Sequence, residues 1–325
     1  MARKLQNVLV TGGCGFIGSN FINYLLDESA SGEAAFMDSG FTGRIINVDC
    51  LTYAGNPENL SAVEQKYGKS AASSPRYIFE KADICDRSAM ERIFSQYDID
   101  TVIHFAAESH VDRSIVGPEA FIKTNVLGTY TLLDVARTYW KVSLDNRRDD
   151  VLFHHISTDE VYGSFVETTP YDPRSPYSSS KASSDHIAMA YFHTYALPVT
   201  LSNCTNNYGP YQFPEKLLPL MITNIRDGKP LPVYGDGKNI RDWIYVEDHN
   251  RGVWEIVQKS PAGEKWNLGG ENEWENIKLL HTVIDLTAQE LGKDSESVRK
   301  SITYVKDRPG HDRRYAIDCT KAKTS

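Results

Sequence analysis

The chain has 325 residues, 41% hydrophobic and 24% charged, so it can bury a sizeable core as one or two domains. Its net charge of -8 disfavours nucleic acid as a partner, and its five scattered cysteines, none in a C-x-x-C pair, argue against a disulfide framework or a metal site. Because it has no membrane-spanning apolar segment and no signal-peptide pattern at its N-terminus, we expect a cytoplasmic enzyme without a membrane partner.

Short β-rich runs alternate with helical segments through the first two-thirds of the chain. The runs are NVLVTGG followed by GSNFINYLLD, then RIINVD, RYIFEKADI, TVIHFAA followed by EAFIKTNVLGTYTLLDVARTYW, VLFHHIST and PVTLSNC. This alternation predicts an α/β fold with a parallel sheet covered by helices on both faces. The segment from Glu28 to Gly43 has little periodicity, and we interpret it as a surface insertion before the second strand.

The pattern changes after Cys204, where glycine and proline become frequent and the helices become shorter. We therefore predict a domain over residues 1–205 and a smaller C-terminal α/β lobe over 206–325. The stretch 241–257, which covers DWIYVEDHNRGVWEIVQ up to its last residue, is predicted to return to the first domain as a strand and a helix.

A glycine-rich turn follows the first predicted strand. Gly12, Gly15 and Gly18 lie between NVLVT and the first helix, where they allow a tight turn and a close approach of pyrophosphate to backbone N–H groups. Asp49 ends the strand RIINVD, where a carboxylate would hold ribose hydroxyls and disfavour a 2′-phosphate. The context predicts binding of NAD rather than NADP, with Asp83 at the adenine end.

Two further motifs carry candidate chemistry. Tyr177 and Lys181 are four residues apart at the start of a predicted helix, so that both side chains lie on one face. An ammonium near a phenol favours the phenolate, and Tyr177 would then accept a proton from a hydroxyl. The strand VLFHHIST ends at Thr158 and is followed directly by Asp159 and Glu160.

Seven blocks of the sequence together resemble one family. TGGCGFIGS, AAESHVDRS, STDEVYG, YSSSK, NNYGPYQFPEKL, RDWIYVEDH and RPGHDRRYAID are similar to the extended short-chain dehydrogenase/reductase superfamily and, within it, to the dTDP-glucose 4,6-dehydratase family. The resemblance implies a Rossmann domain, a C-terminal nucleotide-sugar-binding domain, tightly held NAD, dTDP-glucose as substrate and a homodimer. The chain ends at Ser325, soon after RYAID where relatives continue, which suggests a short or truncated C-terminus.

The resemblance also implies a mechanism for the catalytic residues. Tyr177 removes the proton of the sugar C4 hydroxyl, assisted by Thr158 and Lys181, while C4 is oxidised by NAD. Glu160 then takes the proton at C5, and Asp159 donates a proton to the departing C6 hydroxyl. Two neighbouring carboxyl groups with separated pKa values suit this acid and base pairing. The hydride finally returns to C6, which regenerates NAD. The product would be dTDP-4-keto-6-deoxyglucose, a precursor of 6-deoxyhexoses such as rhamnose.

Further residues match binding positions of the family. The implied cofactor contacts are Gly12, Gly15, Phe16, Ile17, Gly18, Asp49, Leu51, Thr52, Asp83, Ile84, Phe105, Ala106, Ala107, Ser109, Thr124, Tyr177, Lys181 and Asn207. The implied substrate contacts are Ser109, Thr158, Asn206, Lys216, Leu217, Arg241, Asn276, Arg308, His311 and Asp312. Arg241 and Arg308 suit bidentate phosphate contacts, which would let an acidic chain hold an anion.

Several alternatives remain open at this point. A nucleotide-sugar C4-epimerase or a UDP-glucuronate decarboxylase has the same fold, although an epimerase has no use for an acid and a base aimed at C6 and C5. A dehydratase acting on a GDP- or UDP-sugar differs only in base recognition. A catalytically silent NAD-binding protein is the rival from another class, and it is disfavoured because Tyr177, Lys181 and both carboxylates are present.

Overall fold

The computed structural model describes residues 3, 5–26, 39–71, 73–162 and 164–325. Its strands are β1 (Asn7–Thr11), β2 (Arg44–Asp49), β3 (Tyr77–Lys81), β4 (Thr101–His104), β5 (Leu152–Thr158), β6 (Ser164–Phe165), β7 (Val199–Cys204), β8 (Asn206–Tyr208), β9 (Leu231–Tyr234), β10 (Ile240–Tyr245), β11 (Lys265–Leu268), β12 (Glu273–Glu275), β13 (Ile302–Val305) and β14 (Arg314–Ile317). Its α-helices are α1 (Phe16–Leu26), α2 (Ser61–Tyr67), α3 (Arg87–Tyr97), α4 (Val111–Val116), α5 (Pro118–Phe121), α6 (Thr129–Trp140), α7 (Pro176–Tyr195), α8 (Leu217–Asp227), α9 (Val246–Lys259), α10 (Asn276–Glu290), α11 (Ser295–Arg299) and α12 (Thr320–Thr324). Short 3₁₀ turns occupy Pro57–Leu60 and Asp159–Val161.

Seven parallel strands form the central sheet in the order β11-β7-β5-β4-β1-β2-β3. The chain winds outward in one direction from β1 through β2 and β3, and in the other from β4 onward. Strands β1 and β4 therefore flank the point where the winding reverses, and ligands of such sheets bind in the crevice beyond the carboxyl ends there. The predicted doubly wound Rossmann sheet is confirmed.

Helices cover both faces of the sheet, because its strands are apolar on both sides. One face packs against α1 and α9, where Phe21 and Trp254 meet at 6.4 Å between ring centroids. The other packs against α3, α6 and α7, with Phe94, Leu132 and Tyr191 in one buried cluster. The two clusters pack the sheet from both sides.

A π-helical segment, Ile122–Gly128, joins α5 to α6. Such wide turns often occur at functional sites. Here the Asn125 side chain accepts a hydrogen bond from the Glu108 N–H at 2.8 Å and donates one to the Glu108 carbonyl at 3.0 Å. Asn125 also donates to Ser180 Oγ at 2.8 Å. The segment thus ties the loop after β4 to helix α7.

The smaller lobe has its own buried apolar cluster, which comprises Met221, Ile225, Leu231, Val233, Leu280 and Ile284. Helices α8 and α10 pack against each other over the parallel pair β9 and β13. A second sheet has the order β12-β10-β14-β6, with β8 also paired to β10. The division of the chain at residue 205 stays a prediction.

The return of 241–257 to the first domain stays a prediction, and its helix and strand lie in different parts of the structure. Helix α9 packs against α1 and contributes Val253 and Trp254 to the cluster below the central sheet. Strand β10 instead pairs with β8, β12 and β14 in the second sheet, and β11 takes the edge position beside β7. Apolar strand sequences alone do not say which sheet a strand will join, because pairing partners are set by the whole topology.

The predicted insertion at Glu28–Gly43 lies outside the described residues except for its last part, 39–43. In that part Phe41 is buried and packs edge-on against Trp254, with ring centroids 5.6 Å apart. Within the described part of the chain, no helix combines the length and the apolar character needed to cross a bilayer.

Candidate active site

A cavity of about 960 Å³ runs along the carboxyl edge of the central sheet and into the smaller lobe. It begins at the turn after β1, passes the ends of β4 and β5, and ends among residues of α8, β9 and the loop before β14. Its size and its position at the winding reversal are those of a cofactor and substrate site.

The turn from β1 into α1 is shaped by its glycines. Gly12 has φ +71°, and a Cβ there would lie 2.7 Å from the backbone nitrogen of Ala106. A Cβ on Gly18 would lie 2.4 Å from the Gly12 carbonyl oxygen. Larger residues would therefore push α1 away from the sheet. With glycine at both positions, the N-terminus of α1 faces the cavity, where its free N–H groups suit a diphosphate.

Asp49 ends β2 and lines the cavity. Its carboxylate accepts hydrogen bonds from the N–H of Cys14 at 3.0 Å and of Leu51 at 2.8 Å. Burial raises the pKa of Asp49, and these two backbone bonds oppose the rise. The carboxylate is thus fixed between the glycine turn and the loop after β2, with acceptor capacity left for a ligand hydroxyl.

The predicted cofactor residues other than Leu51 line one half of this cavity: Gly12, Gly15, Phe16, Ile17, Gly18, Asp49, Thr52, Asp83, Ile84, Phe105, Ala106, Ala107, Ser109, Thr124, Tyr177, Lys181 and Asn207. Leu51 does not line it. This residue adopts φ 57° and donates its N–H to Asp49, so its place is in the turn that holds the carboxylate.

The three residues that follow one another at the end of β5 occupy different environments. Thr158 caps the turn Asp159–Val161, because its hydroxyl accepts a hydrogen bond from the Glu160 N–H at 3.3 Å. Thr158 and Glu160 line the cavity, whereas Asp159 does not and is only 2% exposed. The Thr158 hydroxyl donates to the Asp159 carboxyl at 3.2 Å and so links it to the cavity.

The pKa values of Asp159 and Glu160 are both raised, but the neighbouring charges act differently on the two groups. Burial and the neighbouring charge of Glu160 raise the pKa of Asp159 well above its ordinary value, against an opposing effect of Arg241. Burial also raises the pKa of Glu160, where the positive charges of Arg241 and Lys216 oppose it. Asp159 is therefore the group that holds a proton more readily, and Glu160 is the one that more readily ionises.

Helix α7 begins with a capping box that positions Tyr177 in its first turn. The Ser175 hydroxyl accepts a hydrogen bond from the Ser178 N–H at 3.0 Å, and Ser178 Oγ accepts one from the Ser175 N–H at 3.0 Å. Pro176 occupies the first helical position. Tyr177 and Lys181 both line the cavity, as their spacing on one helical face requires.

The electrostatics of Tyr177 differ from the expectation. Burial and the charge of Glu160 raise the pKa of Tyr177 well above its ordinary value, while a hydrogen bond with Thr158 lowers it. Lys181 donates from Nζ to the carbonyl oxygen of Ile156 at 2.7 Å. We expected the ammonium to favour the phenolate, but in the chain without ligands desolvation is the larger effect.

Three cations line the far half of the cavity. Lys216 donates to the Ser109 carbonyl at 2.9 Å. Arg241 donates to the carbonyl oxygens of Ile240 at 2.7 Å and Asp312 at 2.9 Å, and its guanidinium stacks 4.2 Å from the ring centroid of Tyr315. Backbone carbonyls thus orient Lys216 and Arg241 without neutralising them.

Arg308, the third cation, already has a carboxylate partner. Its guanidinium contacts Asp112, with Nη2 at 2.8 Å from one oxygen and Nε at 2.6 Å from the other. It also stacks 4.4 Å from the ring centroid of Tyr234. An anionic ligand would therefore share Arg308 with Asp112 or displace Asp112. The sequence pattern did not indicate this ion pair.

The other predicted substrate residues fall into two groups. Ser109, Thr158, Asn206, Leu217, Asn276 and His311 line the cavity. Asp312 does not. Its carbonyl accepts from Arg241, and its carboxylate accepts a hydrogen bond from the Tyr315 hydroxyl at 2.6 Å. Asp312 thus orients two residues that do reach the cavity.

Sequence reasoning missed a cluster that bridges the cavity. Glu215 accepts hydrogen bonds from the Tyr53 hydroxyl at 3.0 Å and from Arg113 Nε at 3.2 Å, and Arg113 lies 3.7 Å from the Tyr53 ring centroid. The partners are more than a hundred positions from Glu215 in the chain, so no local pattern joins them. Tyr315 was also missed, although it lies within the quoted block RPGHDRRYAID.

Comparisons with known proteins show the family of the chain. The family model described as GDP-mannose 4,6 dehydratase matches residues 9–325. The dTDP-glucose 4,6-dehydratase 1 of Escherichia coli K12 is 52% identical over 331 residues, which cover 97% of this chain and 86% of that protein. A crystal structure of a dTDP-glucose 4,6-dehydratase from Streptomyces venezuelae with NAD bound has a TM-score of 0.84 and 42% identity, covering 98% of this chain and 90% of that one. One from Bacillus anthracis in complex with NAD has a TM-score of 0.78 and 44% identity, covering 98% and 89%. The chain therefore belongs to the dTDP-glucose 4,6-dehydratase family of the extended short-chain dehydrogenase/reductase superfamily.

Proposed function

We propose that this chain converts dTDP-glucose to dTDP-4-keto-6-deoxyglucose and water, with NAD as its cofactor. The observation that carries the proposal is the grouping of Thr158, Asp159 and Glu160 at the end of β5, opposite Tyr177 and Lys181 on α7. A hydroxyl oxidation followed by an elimination requires a base for the hydroxyl, a second base for a carbon acid and an acid for the leaving group.

The residues of the cofactor half fit NAD. The glycine turn leaves space above the N-terminus of α1 for a diphosphate, and the Asp49 carboxylate is held at the end of β2 where ribose hydroxyls would meet it. Ile84 and Asp83 lie where the adenine end would rest. When bound, NAD supplies a nicotinamide ring that takes up a hydride reversibly.

In the proposed mechanism each side chain moves one proton. Tyr177 Oη takes the proton of the C4 hydroxyl, which Thr158 also contacts, as C4 becomes a ketone. The ketone acidifies the proton at C5, and the Glu160 carboxylate takes it. Asp159 gives its proton to the C6 oxygen, which leaves as water. The hydride that C4 gives up would be held by the bound nicotinamide and returned to C6 as a proton returns to C5, so the sugar loses one water and the reaction has no net change in oxidation state.

The assignment of acid and base rests on the environments of the two carboxyl groups. Asp159 is the more deeply buried of the pair, and its pKa is raised further by the charge beside it. Glu160 lines the cavity and faces the charges of Arg241 and Lys216, which favour its ionised form. Separated pKa values of neighbouring groups are what an acid and base pair needs.

The nucleotide part of the substrate is proposed to lie in the far half of the cavity. Lys216, Arg241 and Arg308 provide positive charge there for the diphosphate, in a chain whose net charge is -8. These three cations explain how an acidic protein can hold an anion, since charges act mainly at short range.

The test is a mass and NMR measurement of the product formed from dTDP-glucose in deuterated water. We expect loss of one water and one solvent deuterium at C5. Glu160→Gln is expected to abolish both, because an amide cannot accept the C5 proton. Glu290→Gln, an exposed glutamate on α10, is the matched control and is expected to behave as the wild type. A C4 epimer of unchanged mass would instead identify an epimerase.

We further propose that the chain forms a homodimer through the helices next to the cavity. Apolar side chains on the helical stretch 118–140 and on α7 face solvent, namely Ile122, Leu127, Tyr130 and Tyr195. Helix α7 packs against the π-helical segment and α6, so these side chains belong to adjacent surfaces. Exposed apolar patches of this kind favour contact with a second copy.

A further inference from the structure

A buried polar cluster lies behind Lys181, and the proposed mechanism does not use it. Its centre is the contact between His155 and Asp185, whose side chains are both 0% exposed, with His155 Nε2 3.1 Å from Asp185 Oδ1. Neither residue lines the cavity. Burying a charged group costs free energy unless partners compensate it, so such a cluster calls for an explanation.

The Asp185 carboxylate is well provided with donors. Its Oδ2 accepts hydrogen bonds from the Ser157 hydroxyl at 2.7 Å and the Tyr171 hydroxyl at 3.0 Å. His155, the charge of Lys181 and the bond from Ser157 lower the pKa of Asp185 in spite of complete burial. Asp185 is therefore a carboxylate that stays ionised inside the protein.

Asp185 lies one helical turn after Lys181 on α7, so the two side chains project from the same face. Lys181 is only 4% exposed, and burial lowers its pKa while Asp185 opposes that effect. The ammonium donates one hydrogen bond to Ile156 and has two N–H groups left.

The other titratable groups around Lys181 carry no negative charge near neutral pH. Cys204 on β7 is a thiol whose pKa burial raises to about 12. His104 on β4 and His155 on β5 have pKa values lowered by burial and are neutral. Tyr177, on α7 itself, has a raised pKa. Among the described groups that face Lys181, Asp185 is thus the one that supplies a fixed negative charge.

We propose that Asp185 is a positioning residue that keeps the Lys181 ammonium protonated inside the site, from the side opposite the ligands. The inference rests on the proposed function, in which Lys181 supports proton removal by Tyr177. A neutral lysine could not offset the charge of a phenolate. His155, Ser157 and Tyr171 in turn keep the Asp185 carboxylate in its ionised form.

The first test is the pH dependence of kcat in Asp185→Asn, which removes the charge and retains the shape. We expect the alkaline limb of the profile to move down by about 1–3 pH units, because loss of a neighbouring opposite charge shifts a pKa by about that much. Tyr171→Phe removes a hydrogen bond from the same carboxylate without removing its charge, and its alkaline limb is expected to stay in place. A uniform loss of kcat at every pH in Asp185→Asn would show a merely structural role and overturn the inference.

A second measurement reads Lys181 directly and needs no turnover. Acylation of Lys181 by a small amine-reactive ester, followed by peptide mass spectrometry across pH, reports its neutral fraction. In the wild type we expect little labelling at neutral pH, and in Asp185→Asn at least about tenfold more labelling at the same pH. Wild-type Lys181 that labels fully at neutral pH would overturn the inference, even if the variant did not fold. A chain that labels as expected but does not dehydrate dTDP-glucose would overturn the proposed function alone.

Discussion

Two residues that are neighbours in sequence can differ in chemistry because their side chains point into different surroundings. Asp159 is buried beneath the cavity wall, while Glu160 faces cations within the cavity. The 3₁₀ turn capped by Thr158 produces this difference, since it directs successive side chains to different sides. The adjacency was evident from the sequence, whereas the division of labour depends on the turn.

Asp159→Asn tests whether Asp159 and Glu160 have separate roles. An amide cannot donate a proton as an acid does, so elimination of the C6 hydroxyl should slow by about 10²–10⁴-fold in kcat. Glu160 is intact in this variant, and C5 should still exchange with solvent. NMR of dTDP-glucose recovered from deuterated water should therefore show deuterium at C5 without water loss. Loss of the exchange as well would contradict separate roles for the two carboxyl groups.

At the scale of single residues, spacing predicted the pair Tyr177 and Lys181 because both lie on one helix. Spacing could not show that Arg308 is paired with Asp112, since 196 positions separate them in the chain. It also could not show the fully buried pair of His155 and Asp185. Such contacts are made by elements that are distant in sequence, and no local pattern encodes them.

Among the elements, the helical stretch 118–140 has two roles. Its π-helical segment directs Asn125 toward the loop after β4, and its outer surface exposes Ile122, Leu127 and Tyr130. One face therefore supports the site, and the other offers apolar surface to a second copy. A dimer through this face would couple the site to the interface along one helix.

Leu127→Glu tests the proposed dimer. A carboxylate in an apolar contact between helices would be desolvated without a partner, which costs several kcal/mol. We expect the wild type to be dimeric and the variant to be largely monomeric in light scattering coupled to size exclusion. Leu144→Glu, at an exposed leucine beyond the end of α6, is the control and should leave the mass unchanged. A wild type that is monomeric at all concentrations would refute the proposal.

At the scale of the whole molecule, four buried histidines make the fold sensitive to acid. His154 and His249 are fully buried, and burial lowers the pKa of each to about 3. His104 and His155 are lowered for the same reason. An unfolded histidine has a pKa of about 6.5. The contribution of these groups to the free energy of unfolding is therefore fully present above about pH 6.5 and is lost as the pH falls toward 3.

His249→Gln isolates one of these contributions. Neither ring nitrogen of His249 has a hydrogen-bond partner among the described residues, so its main pH-dependent effect is the cost of charging it while buried. Between pH 7 and pH 5 the variant should lose about 2 kcal/mol less stability than the wild type, measured by urea unfolding at equal protein concentration. The raised pKa values of Asp159 and Glu160 act in the opposite direction but are common to both proteins. His193→Gln, at an exposed histidine, should lose as much stability between pH 7 and pH 5 as the wild type does. The same loss in His249→Gln would contradict this explanation.

The sequence by itself determined the features that depend on local order. Alternating strand and helix patterns determined the doubly wound sheet, the glycines after β1 determined the turn into α1, and four-residue spacing placed Tyr177 and Lys181 on one face. Tertiary structure alone decided that β10 joins the second sheet while β11 joins the first. It also decided which carboxyl group is buried, which cation is already paired and which charge lies behind Lys181. The physical reason is that strand pairing, desolvation and ion pairing are set by neighbours in space, and the chain brings those neighbours together only when it folds.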